Sequence, residues 1–541
     1  MATEANTVYA IDASNGTVLL SRNLGTPVSQ SVLGNCNNNT TNIGINSTPV
    51  IDRAAGRLFV VTFTSDAGVP TYRLHALSLN TLADAIPPIV VTASHTLTDG
   101  TAYTFQASKN RQRAALLEAN GNIYIGFASF CDFFANASRG WVLGWSASTL
   151  TPLAGNQLND KLAQSINNFF LSSVWMSGSG LAASDDGGIF FATGNSDPGS
   201  YNSLNNLSES VVKLSGDLTS VMDFFTPADA NLWDMNDADF SSGGVLLIPT
   251  QSGPVPNLAV AMGKAGPMFL LNQQNLGQFT PNGPDKVLAR FDIGNCWCAE
   301  SYFTGSDGVG RVVSSAGNTI IIWQIQTSTN VTLVNERTLP AIAAGQDPGF
   351  FTSISSNGTQ AGTAVVWAVS RPTDTSPANV MLYAFNPANG SLIFSANAGT
   401  WLAPGNANIV PVVANGQVFV ASTQQLAIFG PTTTTVAMSA TAVSKPALSQ
   451  TLVHWNQVTG RVLRVSGTEV IVQQFSGAHV TIDAKPAQDA HQTVPIVKGE
   501  IITVQGELGA LGLLHAKTIV RAKASPALWP PDQRGAKIDV V

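Results

Sequence analysis

The sequence predicts an all-β protein: an eight-bladed β-propeller over residues 1–430, a linker over 431–451 and a small β-barrel over 452–541. The first observation behind this is a recurrence. An aliphatic-aromatic strand running into a turn, VYAIDASNG at Val8 and LYAFNPANG at Leu382, returns near Leu74, Val142, Val211, Met268, Ile320 and Leu426. The spacings of 66, 68, 69, 57, 52, 62 and 44 residues suit four-stranded blades with loop insertions. The second is that helical periodicity is nearly absent while Gly, Asn, Ser, Thr and Pro punctuate almost every strand. The third is the tail, where a second set of alternating strands follows a Thr/Ser/Ala-rich stretch.

Each blade is read from the two strand-like runs that precede the recurrent strand, as STPVI (47–51) and RLFVVTFT (57–64) do, separated by the turn-forming DRAAG. This assigns the order A, B, C, D. Blade one lacks strand A and most of B, because only Met1 to Thr7 precede VYAIDASNG. At the other end NIVPVV (408–413), QVFVAST (417–423) and QLAIFG (425–430) supply A, B and C with no clear D. Since closed rings pair their termini within one blade to remove edges, the chain is expected to begin inside its first blade, as a truncated reading frame would. After Gly430, PTTTTVAMSATAVSKPALSQT is too weakly patterned to pack. Then GRVLRVSGTEVIVQQF, AHVTIDAK, EIITVQGEL and LLHAKTIVRAK give about five alternating strands, the pattern of an OB-like barrel. Trp455, Phe475 and Trp529 are too few and too scattered to stack bases, so attachment or assembly suits the barrel better.

Composition narrows the function classes. Of the 541 residues 44% are hydrophobic and only 11% charged, a low-charge surface of the extracytoplasmic kind. The net charge of −7 divides into −10 over residues 1–430 (16 basic, 26 acidic) and +3 over 431–541 (10 basic, 7 acidic), and neither part suits nucleic acid. No signal peptide and no transmembrane apolar run is visible, so a secreted or periplasmic location rests on the fold and the thiols. Cys36 and Cys131 fall in loops on one face of the ring and can bridge, with buried free thiols as the alternative; a bridge within Cys296-Trp297-Cys298 would close a very tight ring.

The C-strand signature resembles the repeat of the pyrroloquinoline-quinone-like (PQQ-like) β-propeller superfamily. The order of ATEANTVYAIDA (2–13), GINSTPVID (44–52), FATGNSD (191–197), DFSSGGVLLIP (239–249) and NCWCAESYFTGSDGVGRVVSS (295–315) is similar to a group of bacterial PQQ-like repeat proteins over about residues 2–430. That superfamily contains both quinoprotein dehydrogenases and non-enzymatic scaffolds, including outer-membrane assembly lipoproteins. In the dehydrogenases a Trp follows each Gly turn; here Leu20 and Phe394 stand in its place, and Cys296-Trp297-Cys298 replaces an adjacent-cysteine pair. No cofactor is fixed by these residues; PQQ with Ca²⁺ is what the enzymatic branch implies.

Sorting loops by strand order gathers Lys109, Arg111, Arg113, Asp132, Trp175, Asn195, Asp197, the run Asp234 to Asp239, Lys264, Glu300 and Arg371 on the channel-mouth face, with Asp307 and Arg311 opposite. Asp234, Asn236 and Asp237 supply hard oxygens for Ca²⁺, or cap turns. Lys109 and Arg111 suit a carboxylate or sugar acid; Asp132, Asn195 and Lys264 add polar contacts; Trp175 and Trp297 offer stacking faces, or pack between blades. No nucleophile triad can be assembled. The expected function is therefore an extracytoplasmic propeller binding a small molecule, glycan or protein at its mouth. One alternative is a quinoprotein oxidoreductase with Asp234 or Glu300 as base; another is a carbohydrate hydrolase or lyase.

Overall fold

The computed structural model describes residues 1–33, 36, 40–132, 134–342, 348–370, 378–402, 408–430, 456–474, 479–508 and 513–521. Two compact units divide at Ser444/Lys445; the expected 431–451 linker lies outside the described residues.

The first unit is a β-propeller. Its first complete blade orders Val50–Asp52, Arg57–Asp66, Val69–Ser78 and Asp84–Val90 as an antiparallel meander. The pattern repeats with the innermost strand at Asn110–Gln112, Ala182–Ala183, Val245–Leu247, Ser301–Thr304 and Thr352–Ser355. It ends in a three-stranded sheet, Val412–Ala414, Gln417–Ser422 and Gln425–Phe429. Second strands such as Leu258–Met262 are buried throughout and read as unbroken apolar runs, whereas outer strands such as Asp84–Val90 alternate. Burial on both faces is what a blade packed between two neighbours requires. The contacts show it: Val260, Met262 and Leu270 of the fourth blade share a core with Val312, Trp323 and Ile325 of the fifth.

The described residues form seven blades, which corrects the expected eight. The expectation takes each recurrent strand as one blade, and the first of them builds no blade of its own. Thr7–Ile11 pairs only with Val18–Asn23, in a two-stranded hairpin. That hairpin packs Val8 against Leu58, Val60 and Leu77 of the first complete blade, and the Ala13 carbonyl in its turn accepts a hydrogen bond from Gln417 Nε2 of the last sheet at 2.9 Å. The hairpin therefore fills the seam between last and first blades instead of adding an eighth.

Both cysteine pairs are disulfide-bonded, Cys36 with Cys131 and Cys296 with Cys298. The second closes the tight ring that spacing alone disfavours. No helix among the described residues is long and apolar enough to cross a membrane.

The second unit is a closed five-stranded barrel. Asn456–Ser466, Glu469–Gln474, His479–Asp483, Leu514–Arg521 and Ile501–Leu508 follow one another around it. Closure depends on a parallel pair, Ile482 opposite Leu514 and Asp483 opposite His515. The inward positions Val462, Val470, Val472, Ile482, Ile502, Val504, Leu514 and Ile519 fill the interior. Trp455, Phe475 and Trp529 lie outside the described residues.

Candidate functional site

The mouth-face loops of the second, third, fourth and fifth blades converge on Lys264. It sits in the turn MGKAG between two buried strands, Leu258–Met262 and Pro267–Asn272, which hold its backbone rigidly. Its ammonium donates to Asp239 Oδ2 at 2.5 Å and to Asp237 Oδ2 at 3.3 Å. It also lies 4.5 Å from the Trp297 ring centroid and 5.6 Å from that of Trp175, within cation–π range. Burial disfavours the charge on Lys264, but Asp239 and Asp237 outweigh it and raise the pKa.

Asp239 is the hub. Its Oδ1 accepts the Trp175 indole N–H and the Asn195 backbone N–H, each at 3.1 Å. The Asn195 side chain donates to Asp237 Oδ1 at 2.9 Å. This crowding requires glycine at position 194, where an added Cβ would stand 2.4 Å from Asp239 Oδ1 and 2.8 Å from Ser241 Oγ. The two indoles stand edge to face, 6.1 Å apart at 69°, and Arg113 lies 5.0 Å from the Trp175 ring. Trp297 is the single residue enclosed by the Cys296–Cys298 bridge, and its backbone N–H donates to the Pro348 carbonyl at 3.0 Å.

More carboxyls lie around this core. Asp132 hydrogen-bonds the Ser129 hydroxyl; burial pushes its pKa up to about 7, and the charges of Asp239 and Asp237 add to the rise. Asp234 accepts the Ser196 N–H at 2.8 Å and the Ser208 hydroxyl at 3.1 Å, yet burial still carries it to about 7. Burial and the neighbouring Asp239 also raise Asp237. Glu209 is wholly buried: Oε2 accepts the Phe240 N–H at 2.6 Å, and Oε1 has no partner among the described residues. Burial, then Asp239 and Asp234, raise it well above the usual carboxylate range. Cys131, Asp132, Met176, Glu209 and Asp237 all have positive φ, and strain held in this way gathers where packing over-determines the backbone.

Of the sequence-predicted residues, Trp175, Asn195, Asp237, Lys264 and Trp297 are brought together, and Asp132 reaches them through its charge alone. Asp234 joins through its charge. Lys109 instead lies 5.5 Å from the Phe134 ring, and Arg111 is buried 5.7 Å from Phe130 with its pKa lowered to about 10 by burial. Asn236 caps its own helix, donating to the Leu232 carbonyl at 2.7 Å. No hydrogen bond or ion pair joins Asp234 to Glu300. Glu300 stands apart from the cluster's charges, with both carboxyl oxygens buried and unpartnered among the described residues and its pKa pushed by burial to about 8. Asp307 and Arg311 pair with each other at 2.8 Å; Arg371 lies outside the described residues. No group of three His, Cys, Asp or Glu side chains that could hold a metal ion occurs among the described residues.

Sequence reasoning missed Glu209 and Ser241. The sole signal was an acidic residue in LSESVVKL directly before a buried strand.

No protein-family model matches the chain, and no curated protein matches it. Among solved structures, the chain is similar to a functionally unknown protein from Desulfotomaculum acetoxidans, at 15% identity and TM-score 0.32 over 71% of this chain and 92% of that one. It is also similar to Saccharomyces cerevisiae Sqt1, at 10% identity and TM-score 0.31 over 70% and 92%. Neither likeness is close enough to carry a function. The PQQ-like and quinoprotein expectations are likewise corrected: seven blades among the described residues replace the expected eight, and no family model or curated protein matches to support them.

Proposed function

We propose that the chain is an extracytoplasmic binding propeller that holds a small polar molecule or glycan at its mouth, beside the paired indoles of Trp175 and Trp297. The observation that carries this is the convergence of two half-exposed indoles, the Lys264 ammonium and the exposed Asp237 carboxylate on one point, supplied by loops of different blades. Small-molecule sites combine apolar faces with a few oriented polar groups. Two buried strands, Leu258–Met262 and Pro267–Asn272, hold the Lys264 turn from either side. Two disulfides support an oxidising compartment.

Tryptophan fluorescence of the full chain, titrated with arrays of soluble glycans and small metabolites, tests the assignment. Saturable quenching that disappears in Trp297→Phe or Trp175→Phe supports it. Binding that neither substitution alters would place the ligand elsewhere.

A further inference from the structure

A narrow cleft opens between the second and third blades, and none of the residues lining it belongs to the mouth cluster. It holds about 340 Å³, counting the space open to solvent at its entrance. Val142 of the second blade and Phe191, Val212 and Leu214 of the third make its floor, all within the core that the two blades share. The floor is apolar because the strands that supply it, Trp141–Ser146, Ile189–Ala192 and Val211–Leu214, are packed on both faces. Leu204, 82% exposed, and Val221, 40% exposed, stand at the entrance. Apolar surface is therefore present at both ends of the cleft.

The polar wall carries donors without acceptors. Gln157, Asn159, Lys161 and Asn205 form it. The Gln157 amide is already used, donating to the Leu218 carbonyl at 2.8 Å. The Asn159 amide nitrogen, in contrast, is shielded from water and has no acceptor among the described residues. Lys161 is held in place by its backbone, whose N–H donates to the Asn205 carbonyl at 2.6 Å and whose carbonyl accepts the Thr98 N–H at 2.8 Å. Its half-buried ammonium has no ion pair or hydrogen bond among the described residues. Burial lowers its pKa with no carboxylate to oppose the effect. Asp160, the acid between these two residues in sequence, is turned to the Arg139 guanidinium at 3.2 Å. His95 lies near enough to feel the Lys161 charge, but it is itself basic and cannot neutralise it. An unpaired ammonium beside an unfilled amide donor is complementary to an anion.

We propose that this cleft binds a slender amphiphilic anion, a carboxylate on a linear alkyl chain, with the carboxylate held by Lys161 and Asn159 and the chain laid against Val142, Phe191, Val212 and Leu214. Both donors line the same cleft, so the two oxygens of one carboxylate can answer both. The narrowness of the cleft selects an unbranched chain, and the apolar floor selects an alkyl one over a hydroxylated one. This is a second site, separate in position and in ligand chemistry from the one at the mouth.

Calorimetric titration of the full chain at pH 7 with octanoate and with octan-1-ol provides the test, since the two share a chain and differ in charge. Octanoate is expected to bind about tenfold more tightly, a difference of ~1.4 kcal/mol. Lys161→Met, which keeps the side-chain stem and removes the charge, is expected to abolish that preference. Leu204→Asp is the second variant, on a side chain exposed enough to leave folding intact. It is expected to weaken octanoate more than octan-1-ol, and circular dichroism of both variants checks the fold. Equal binding of the two probes, no saturable binding of octanoate, or an octanoate affinity untouched by Lys161→Met or by Leu204→Asp overturns the proposal. Octanoate binding retained in Trp297→Phe supports a site apart from the mouth; binding lost in that variant overturns it.

Discussion

Asp239 carries more of the site than any other side chain, because one carboxylate answers an indole, a backbone amide and an ammonium at once. Replacing it by Ala would leave Lys264 buried beside acids with its nearest partner gone. Breaking a buried pair from one side costs roughly 3–5 kcal/mol, so Asp239→Ala is expected to lower the midpoint of denaturant unfolding markedly, and a change within error would show that the pair is dispensable. Gly194→Ala acts on the same hub sterically, and is expected to weaken ligand binding before it unfolds the chain. Glu300 behaves in the opposite sense. Its folded pKa of about 8 exceeds the ordinary 4.5, so the folded state binds the extra proton. Its contribution is complete below the unfolded value and is lost as pH rises through about 8. Asp234 and Asp132, at about 7, act the same way from 3.8 upward. Melting temperature is therefore expected to fall between about pH 4 and 8, and Glu300→Gln to flatten that fall; an unchanged slope in the variant would exclude Glu300 as its source.

Among the elements, second strands were the most legible. Runs such as RLFVV and LAVAM declare burial on both faces, and both are buried strands. The sorting of loops by strand order also brought Trp175, Asn195, Asp237, Lys264 and Trp297 to one place, because alternate connections of a meander emerge on alternate faces. What spacing could not convey was pairing. The strand at Val8 has the same signature as the one at Leu382, yet one has a single main partner and the other lies inside a four-stranded sheet. Nor could it show that Lys109 and Arg111 would be absorbed by Phe134 and Phe130, since cation–π packing leaves no periodic trace. The Cys36–Cys131 bridge ties two loops 95 residues apart in sequence. Both belong to the core shared by the first two blades, and a closed loop of that length restricts the unfolded chain strongly. The double substitution Cys36→Ser with Cys131→Ser is expected to cost about 2–5 kcal/mol; an unaltered denaturation midpoint would mean that side-chain packing alone holds these loops.

At the scale of the whole molecule, the channel and the barrel are closed by different means. Phe351, leading into the sixth blade, presses its ring on Gly178, leading into the third, so residues from distant blades meet across the ring. Gly178 has φ +80°, and an added Cβ would stand 2.4 Å from Phe351 Cζ; both conformation and space require glycine there. The barrel needs no such plug. Its interior is filled by its own side chains, from Val458 to Ile519, and its five strands leave no open edge because Ile482–Asp483 pairs with Leu514–His515. A unit whose core and backbone pairing are both internal is expected to fold alone. Residues 445–541, the span of the second unit, should therefore give a β-type circular dichroism spectrum and one cooperative melt when expressed without the propeller. A non-cooperative melt would mean that the barrel depends on residues 1–444 for its stability, and would make the tail an extension of the propeller instead of a second domain.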